Sequence, residues 1–92
     1  MKENQNLKNP LKKDDVSVNK NRNLILYNDN TNTFDYVINC LIEVCDHDII
    51  QAEQCAFITH YKGKCDIKKG DYKSLRPMRK ILIDKGLKAT ID

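Results

Sequence analysis

Four cysteines and two histidines are the side chains of this sequence best suited to metal binding, disulfide formation or nucleophilic catalysis. They are Cys40, Cys45, Cys55, Cys65, His47 and His60. No two cysteines form the Cys-x-x-Cys pair that is common in small zinc domains. Cys40, Cys45 and Cys55 occupy apolar positions of helical patterns, where a reduced cysteine packs as a small hydrophobic residue. We therefore expect core cysteines, and neither a metal nor another cofactor.

Hydrolytic catalysis would need a nucleophile, a base and a residue that orients the base. Cys65 and His60 supply the first two residue types, but the sequence offers no evident third partner. We therefore do not expect an enzyme.

Two polar positions have a structural explanation when each is taken alone. Asn28-Asp29-Asn30 follows an apolar run, and such side chains end strands by hydrogen bonding to nearby backbone. His60 lies near the end of a predicted helix, where the helix dipole favours a positive charge. Neither position identifies a site by itself.

Apolar patterning indicates the elements that must position these residues. Residues 1–22 are rich in Asn and Lys without a sustained apolar period, so we expect a disordered extension before a core at 23–92. Residues 24–27 predict a buried strand. From 34 to 45 the apolar side chains recur on one helical face, with Asn32 as the expected N-cap.

The second half of the chain predicts a helix at about 49–61 ended by Gly63, a strand at 65–69 and a helix between 71 and 85. Pro77 requires either that Ser74 caps this helix or that the helix kinks. Alternating apolar residues at 87–91 predict a last strand. The order β-α-α-β-α-β indicates a single α+β domain, with a three-stranded, mainly antiparallel sheet and three helices on one face.

Charge and hydropathy exclude two classes of partner. The net charge is +3, but residues 24–92 carry ten basic and ten acidic side chains, so residues 1–23 hold the whole excess. A nucleic-acid binder concentrates basic charge on its folded surface, so we expect no nucleic-acid partner. No apolar run approaches the roughly 20 residues of a membrane span. Since the first residues also lack a secretory leader, we expect a cytoplasmic protein.

Two motifs together resemble the ClpS adaptor family. Tyr27-Asn28-Asp29-Asn30, followed by a helix opening at Asn32-Thr33-Phe34, is similar to the Asn-Asp-Asp segment that closes the first strand in that family. His60-Tyr61-Lys62-Gly63-Lys64 is similar to the family's His-Tyr-x-Gly-Lys segment at the end of the second helix. The separation of about thirty residues and the predicted order of elements agree as well, so the resemblance covers roughly residues 24–92.

The resemblance implies a non-enzymatic adaptor for N-degron substrates. Such an adaptor captures proteins with a free α-amino group and a bulky first residue (Phe, Leu, Tyr or Trp) and delivers them to a Clp AAA+ unfoldase–protease. The implied partners are the N-terminal domain of a ClpA- or ClpC-like unfoldase and these substrates, and we expect a monomer. The N-terminal extension is then expected to enter the unfoldase and to assist transfer of the substrate.

The resemblance also implies a two-part site. The amine would be bound by Asn28, Asp29, Asn30 and His60, which offer amide, carboxylate and imidazole acceptors. The first side chain would enter a pocket walled by Asn32, Phe34, Val37, Ala56 and Thr59. Five positions depart from the family pattern. Asn30 replaces a second Asp, Phe34 replaces a gatekeeper Met, and Ala56 and Thr59 replace larger or more apolar residues. Lys88 stands where a leucine is expected.

One other family provides an alternative of a different class. The C-terminal domain of the ribosomal stalk protein shares the β-α-α-β-α-β arrangement and binds factors, but lacks the Asn-Asp and His-Tyr-x-Gly motifs. A module of that kind would keep the fold without binding N-degrons.

Overall fold

Residues 21–92, the part of the chain described by the computed structural model, fold as three strands and three helices. Their order is β1 (Arg22–Tyr27), α1 (Phe34–Cys45), α2 (Ile49–Lys62), β2 (Lys64–Gly70), α3 (Tyr72–Asp84) and β3 (Lys88–Ile91). This confirms the predicted β-α-α-β-α-β order. The predicted disordered extension lies outside the described residues up to residue 20. The prediction that this extension runs to residue 22 is one residue too long, because Arg22 already belongs to β1 and pairs with Gly70.

The sheet has the order β2-β1-β3, and both pairings are antiparallel. At the end of β1, Tyr27 pairs with Lys64 on one side and with Lys88 on the other. The pairing continues one residue further, because the backbone N–H of Asn28 donates to the carbonyl of Gly63 at 2.9 Å. The sheet therefore places the polar segment after β1 directly beside the C-terminal end of α2.

The core lies between the sheet and the helices. Leu24 and Leu26 of β1 are buried in one hydrophobic cluster with Leu41 of α1 and with Leu75 and Leu82 of α3. All four cysteines are free thiols in buried positions, which confirms the core assignment of Cys40, Cys45 and Cys55. Burial raises the pKa of the Cys45 thiol to about 11 and that of Cys65 to about 12, so both remain protonated and poorly nucleophilic.

Three short polar side chains cap the helices. Thr33 is the N-cap of α1 and accepts from the N–H of Tyr36 at 3.1 Å, so the N-cap prediction for Asn32 is wrong by one residue. Asp48 caps α2 and Asp71 caps α3 in the same way. Gly63 ends α2 with φ of 93°, a left-handed conformation that glycine adopts without steric cost.

The cap at Asp71 decides where Pro77 lies. Because α3 begins at Tyr72, Pro77 falls in the second turn and Ser74 is not the N-cap. Pro77 has no N–H to donate to the carbonyl of Lys73, four residues earlier. Both residues are exposed, so solvent can bond that carbonyl and the helix tolerates the proline.

Two hydrogen bonds hold the corner between α1 and α2 against β2. The Nε2–H of buried His47 donates to the Ile67 carbonyl at 2.6 Å, and Lys68 Nζ donates to the Cys45 carbonyl at 3.2 Å. The second bond places a positive charge at the negative end of α1. These contacts fix the start of α2 and thereby the position of its last turn, which carries His60.

Candidate functional site

Asp29 organises the loop between β1 and α1. Its Oδ1 atom accepts from the backbone N–H groups of Thr31 and Asn32, each at 2.8 Å, and its Oδ2 atom accepts from Asn32 Nδ2 at 2.9 Å. The loop closes on its own carboxylate in this way because an Asp side chain reaches the amides two and three residues ahead. The shape of residues 28–32 therefore depends on Asp29.

The same hydrogen bonds keep Asp29 ionised. Partial burial would raise the pKa of Asp29, but the hydrogen bonds from Asn32 and Thr31 and the charge of Lys88 together hold it below its usual value. A carboxylate with several N–H donors stays an anion. The site thus carries a fixed negative charge at neutral pH.

Asn32 ties this loop to a distant turn. Its Nδ2 group also donates to the Gly86 carbonyl at 3.0 Å, 54 residues away in sequence. Two further contacts strengthen the junction: Tyr36 Oη donates to the Lys85 carbonyl at 2.6 Å, and Lys85 Nζ pairs with Glu43 at 2.8 Å. Asn32 was predicted as a pocket wall, and it lies there with its amide N–H groups engaged in holding the site together.

His60 and Phe34 meet at the mouth of the site. His60 is exposed in the last turn of α2, and its ring centroid lies 5.1 Å from that of Phe34, the first residue of α1. The Phe34 side chain remains 42% exposed. A tilted contact at this distance is a favourable aromatic geometry, so Phe34 supports one side of His60 and narrows the opening.

Ala56, Thr59 and Val37 form the apolar interior. Ala56 and Thr59 are buried on α2, and Val37 is half-buried on α1. The Thr59 hydroxyl donates to the Cys55 carbonyl at 2.7 Å. Its polar atom is therefore satisfied within the helix, and an apolar ligand group beside Thr59 would leave no hydroxyl unpaired.

All nine residues predicted for the site line a single pocket of about 300 Å³. Asn28, Asp29 and Asn30 form the strand side, and His60 with Phe34 the helix side. This volume is at the lower end of the range for small-molecule sites. The pocket is also lined by three residues that the sequence analysis did not select: Leu26, Tyr27 and Leu87.

Leu87 resolves the departure noted at Lys88. It is buried immediately before β3 and supplies an apolar surface to the pocket, while Lys88 is exposed and its charge acts on Asp29. The signal that could have identified Leu87 as a pocket residue is the alternation of Leu87, Ala89 and Ile91, which places Leu87 on the inward face.

Comparison with known proteins identifies the family to which this fold and site belong. The family model of the ATP-dependent Clp protease adaptor protein ClpS matches residues 18–90. The chain belongs to the ClpS family. This confirms the resemblance that was predicted from the two motifs, and it places the protein in an adaptor family of the Clp protease rather than with the ribosomal stalk domain.

Solved structures show the same ClpS fold. The structure of Agrobacterium tumefaciens ClpS2 bound to L-phenylalaninamide matches with a TM-score of 0.66 and 14% sequence identity, over 77% of this chain and 93% of that chain. At this identity the match shows the fold, which agrees with the predicted α+β architecture. No curated protein matches the sequence.

Two other features of this ClpS-family chain concern metals and membranes. Within residues 21–92, no three His, Cys, Asp or Glu side chains are grouped so that they could hold a metal ion. In the same part of the chain, no helix is both long and apolar enough to cross a bilayer.

Proposed function

We propose that this protein binds polypeptides that begin with a free α-amino group and a bulky hydrophobic residue, and delivers them to a Clp unfoldase–protease. The observation that carries the proposal is one pocket with an ionised, hydrogen-bonding rim and an apolar interior. A protein N-terminus has the complementary shape, since its first residue presents an ammonium beside its side chain. Membership of the ClpS family supports the same conclusion.

The rim suits an ammonium group. Asp29 contributes a fixed negative charge, Asn28 and Asn30 contribute amide oxygens, and the His60 ring contributes an imidazole nitrogen as an acceptor. Each hydrogen bond to a charged donor is worth about 1.5–3 kcal/mol. Two or three such bonds would therefore provide much of a micromolar affinity.

The interior suits the first side chain. Phe34, Val37, Ala56, Thr59 and Leu87 offer an apolar surface, and burying a Phe or Leu side chain contributes about 1.5–3 kcal/mol. The relative bound to L-phenylalaninamide holds a ligand with the same two groups, a free amine and an aromatic side chain. Neither half of the site would bind tightly alone, so the pocket selects the combination.

Fluorescence-anisotropy titration of two free-amine peptides tests this function. One peptide begins with Phe, and the other has Val in its place and is otherwise identical. We expect Phe to bind at least about tenfold more tightly, because the Phe34 ring narrows the mouth against a β-branched side chain and Val buries less apolar area. Failure of both peptides to bind would favour a stalk-like interaction module that has the fold without this activity.

The N-terminal segment is proposed to act in delivery rather than in capture. Deleting residues 1–20 retains β1, which begins at Arg22, and every residue that lines the pocket. Peptide affinity should therefore be unchanged, while degradation of an N-degron reporter by the unfoldase–protease should slow severalfold. A Gly/Ser segment of equal length at positions 1–20 separates length from sequence. Normal degradation by the deletion variant would contradict this role.

A further inference from the structure

Four aromatic rings run from the mouth of the pocket onto the outer face of α2. We call them the aromatic row: Phe34, His60, Tyr61 and Phe57. Successive ring centroids are 5.1, 4.8 and 4.4 Å apart. Phe34 and His60 line the pocket, whereas Tyr61 and Phe57 lie outside it, so the row is a continuous surface that begins at the pocket and leaves it.

The outer half of the row is strongly exposed. Phe57 is 56% and Tyr61 66% exposed, and half-exposed Ile58 extends the apolar surface beside them. The inner face of α2 already buries Ala52, Cys55 and Ala56 in the core, so the outer rings are not needed for packing. Contiguous exposed apolar surface of this kind marks a contact site, and aromatic rings are enriched where contacts contribute most binding energy.

We propose that the outer half of the aromatic row, Tyr61 and Phe57, binds the second and third residues of the captured polypeptide and prefers large apolar or aromatic side chains there. This inference rests on the proposed function, because it requires the first residue to occupy the pocket. The first side chain then fills the interior and its ammonium lies against the loop that contains Asn28 and Asp29. The captured polypeptide then continues across the rest of the rim, where Phe34 and His60 lie at the start of the row.

The length of an extended chain and the chemistry of the rings both suit the second and third residues of a captured polypeptide. Residues of an extended chain advance about 3.3–3.6 Å each, so the backbone of two residues beyond the pocket spans roughly 7 Å, and their side chains extend further towards Tyr61 and Phe57. Large apolar side chains such as Leu bury surface against these rings, and aromatic side chains gain further from ring contacts. Glycine offers no such contact, and a carboxylate would lose hydration against these rings without gaining a donor.

The test uses three free-amine peptides that begin with Phe and differ only at positions two and three, as Leu-Leu, Gly-Gly or Asp-Asp. We expect the Leu-Leu peptide to bind about three- to tenfold more tightly than the Gly-Gly peptide, and the Asp-Asp peptide to bind most weakly. In the double variant Phe57→Ala, Tyr61→Ala the ratio of Leu-Leu to Gly-Gly affinity should fall to about one.

The matched control is Ile49→Ala, which removes an equally exposed apolar side chain from the first turn of α2, outside the row. It should retain the Leu-Leu advantage. Equal binding of the Leu-Leu and Gly-Gly peptides to the unsubstituted protein would overturn the aromatic-row proposal and leave the pocket function standing. If no Phe-initiated peptide binds, both proposals fail.

Discussion

Acetylating the α-amino group of a Phe-initiated peptide is expected to weaken its binding at least about 100-fold. Acetylation removes the positive charge and leaves one N–H, so at least two charge-assisted hydrogen bonds of about 1.5–3 kcal/mol each are lost. Anisotropy titration of the free and acetylated peptides measures the ratio directly. Equal affinities would show that the rim does not bind the α-amino group.

Asp29→Ala tests whether the Asp29 carboxylate is responsible for the preference for a free α-amino group. The variant lacks the ionised carboxylate, so the free peptide should bind about 10- to 150-fold more weakly and acetylation should then cost less than it costs the unsubstituted protein. Because Asp29 also holds the N–H groups of Thr31 and Asn32, part of the loss comes from the loop. Circular dichroism melting distinguishes this local loss of affinity from general unfolding of the variant.

Asp35→Ala is the matched control for Asp29→Ala. Asp35 is an exposed carboxylate in the first turn of α1 and does not line the pocket. Its removal changes the net charge by the same amount, but should leave the discrimination against acetylated peptide intact. A loss equal to that of Asp29→Ala would attribute the effect to overall charge instead of to the rim.

Ala56→Leu is expected to close the pocket to large side chains. Ala56 is 3% exposed on α2 and faces the cavity together with Val37 and Thr59, so three added carbon atoms extend into space that the ligand would occupy. Affinity for Phe and Trp peptides should fall about 10- to 100-fold, which corresponds to losing the burial of one aromatic side chain. Anisotropy titration with each peptide gives this loss.

Gln51→Leu is the control for the pocket-filling change, because Gln51 is exposed in the first turn of α2 and outside the pocket. It adds a leucine to the same helix and should bind all peptides normally. Unchanged Phe affinity in folded Ala56→Leu would place the first side chain elsewhere than in this cavity.

The sequence by itself determined the elements and their order. Apolar spacing shows which face of α1, α2 and α3 is buried, and Gly63 and Asp48 mark ends that depend on a few neighbouring residues. The resemblance to the ClpS family, which the two polar motifs carry, also implied the nine residues that line one pocket. These features could be predicted because each is encoded by residues close together in the chain, or by two motifs whose joint occurrence is specific.

Only the tertiary structure decided how the site is held. Asn32 bonds to Gly86, 54 residues away, instead of capping α1, and Leu87 lines the pocket from the position immediately before β3. The continuity of Phe34 with Tyr61 and Phe57 depends on how α1 lies against the last turn of α2. Such contacts follow from strand register and helix packing, whereas local patterning specifies only which face of each element is buried.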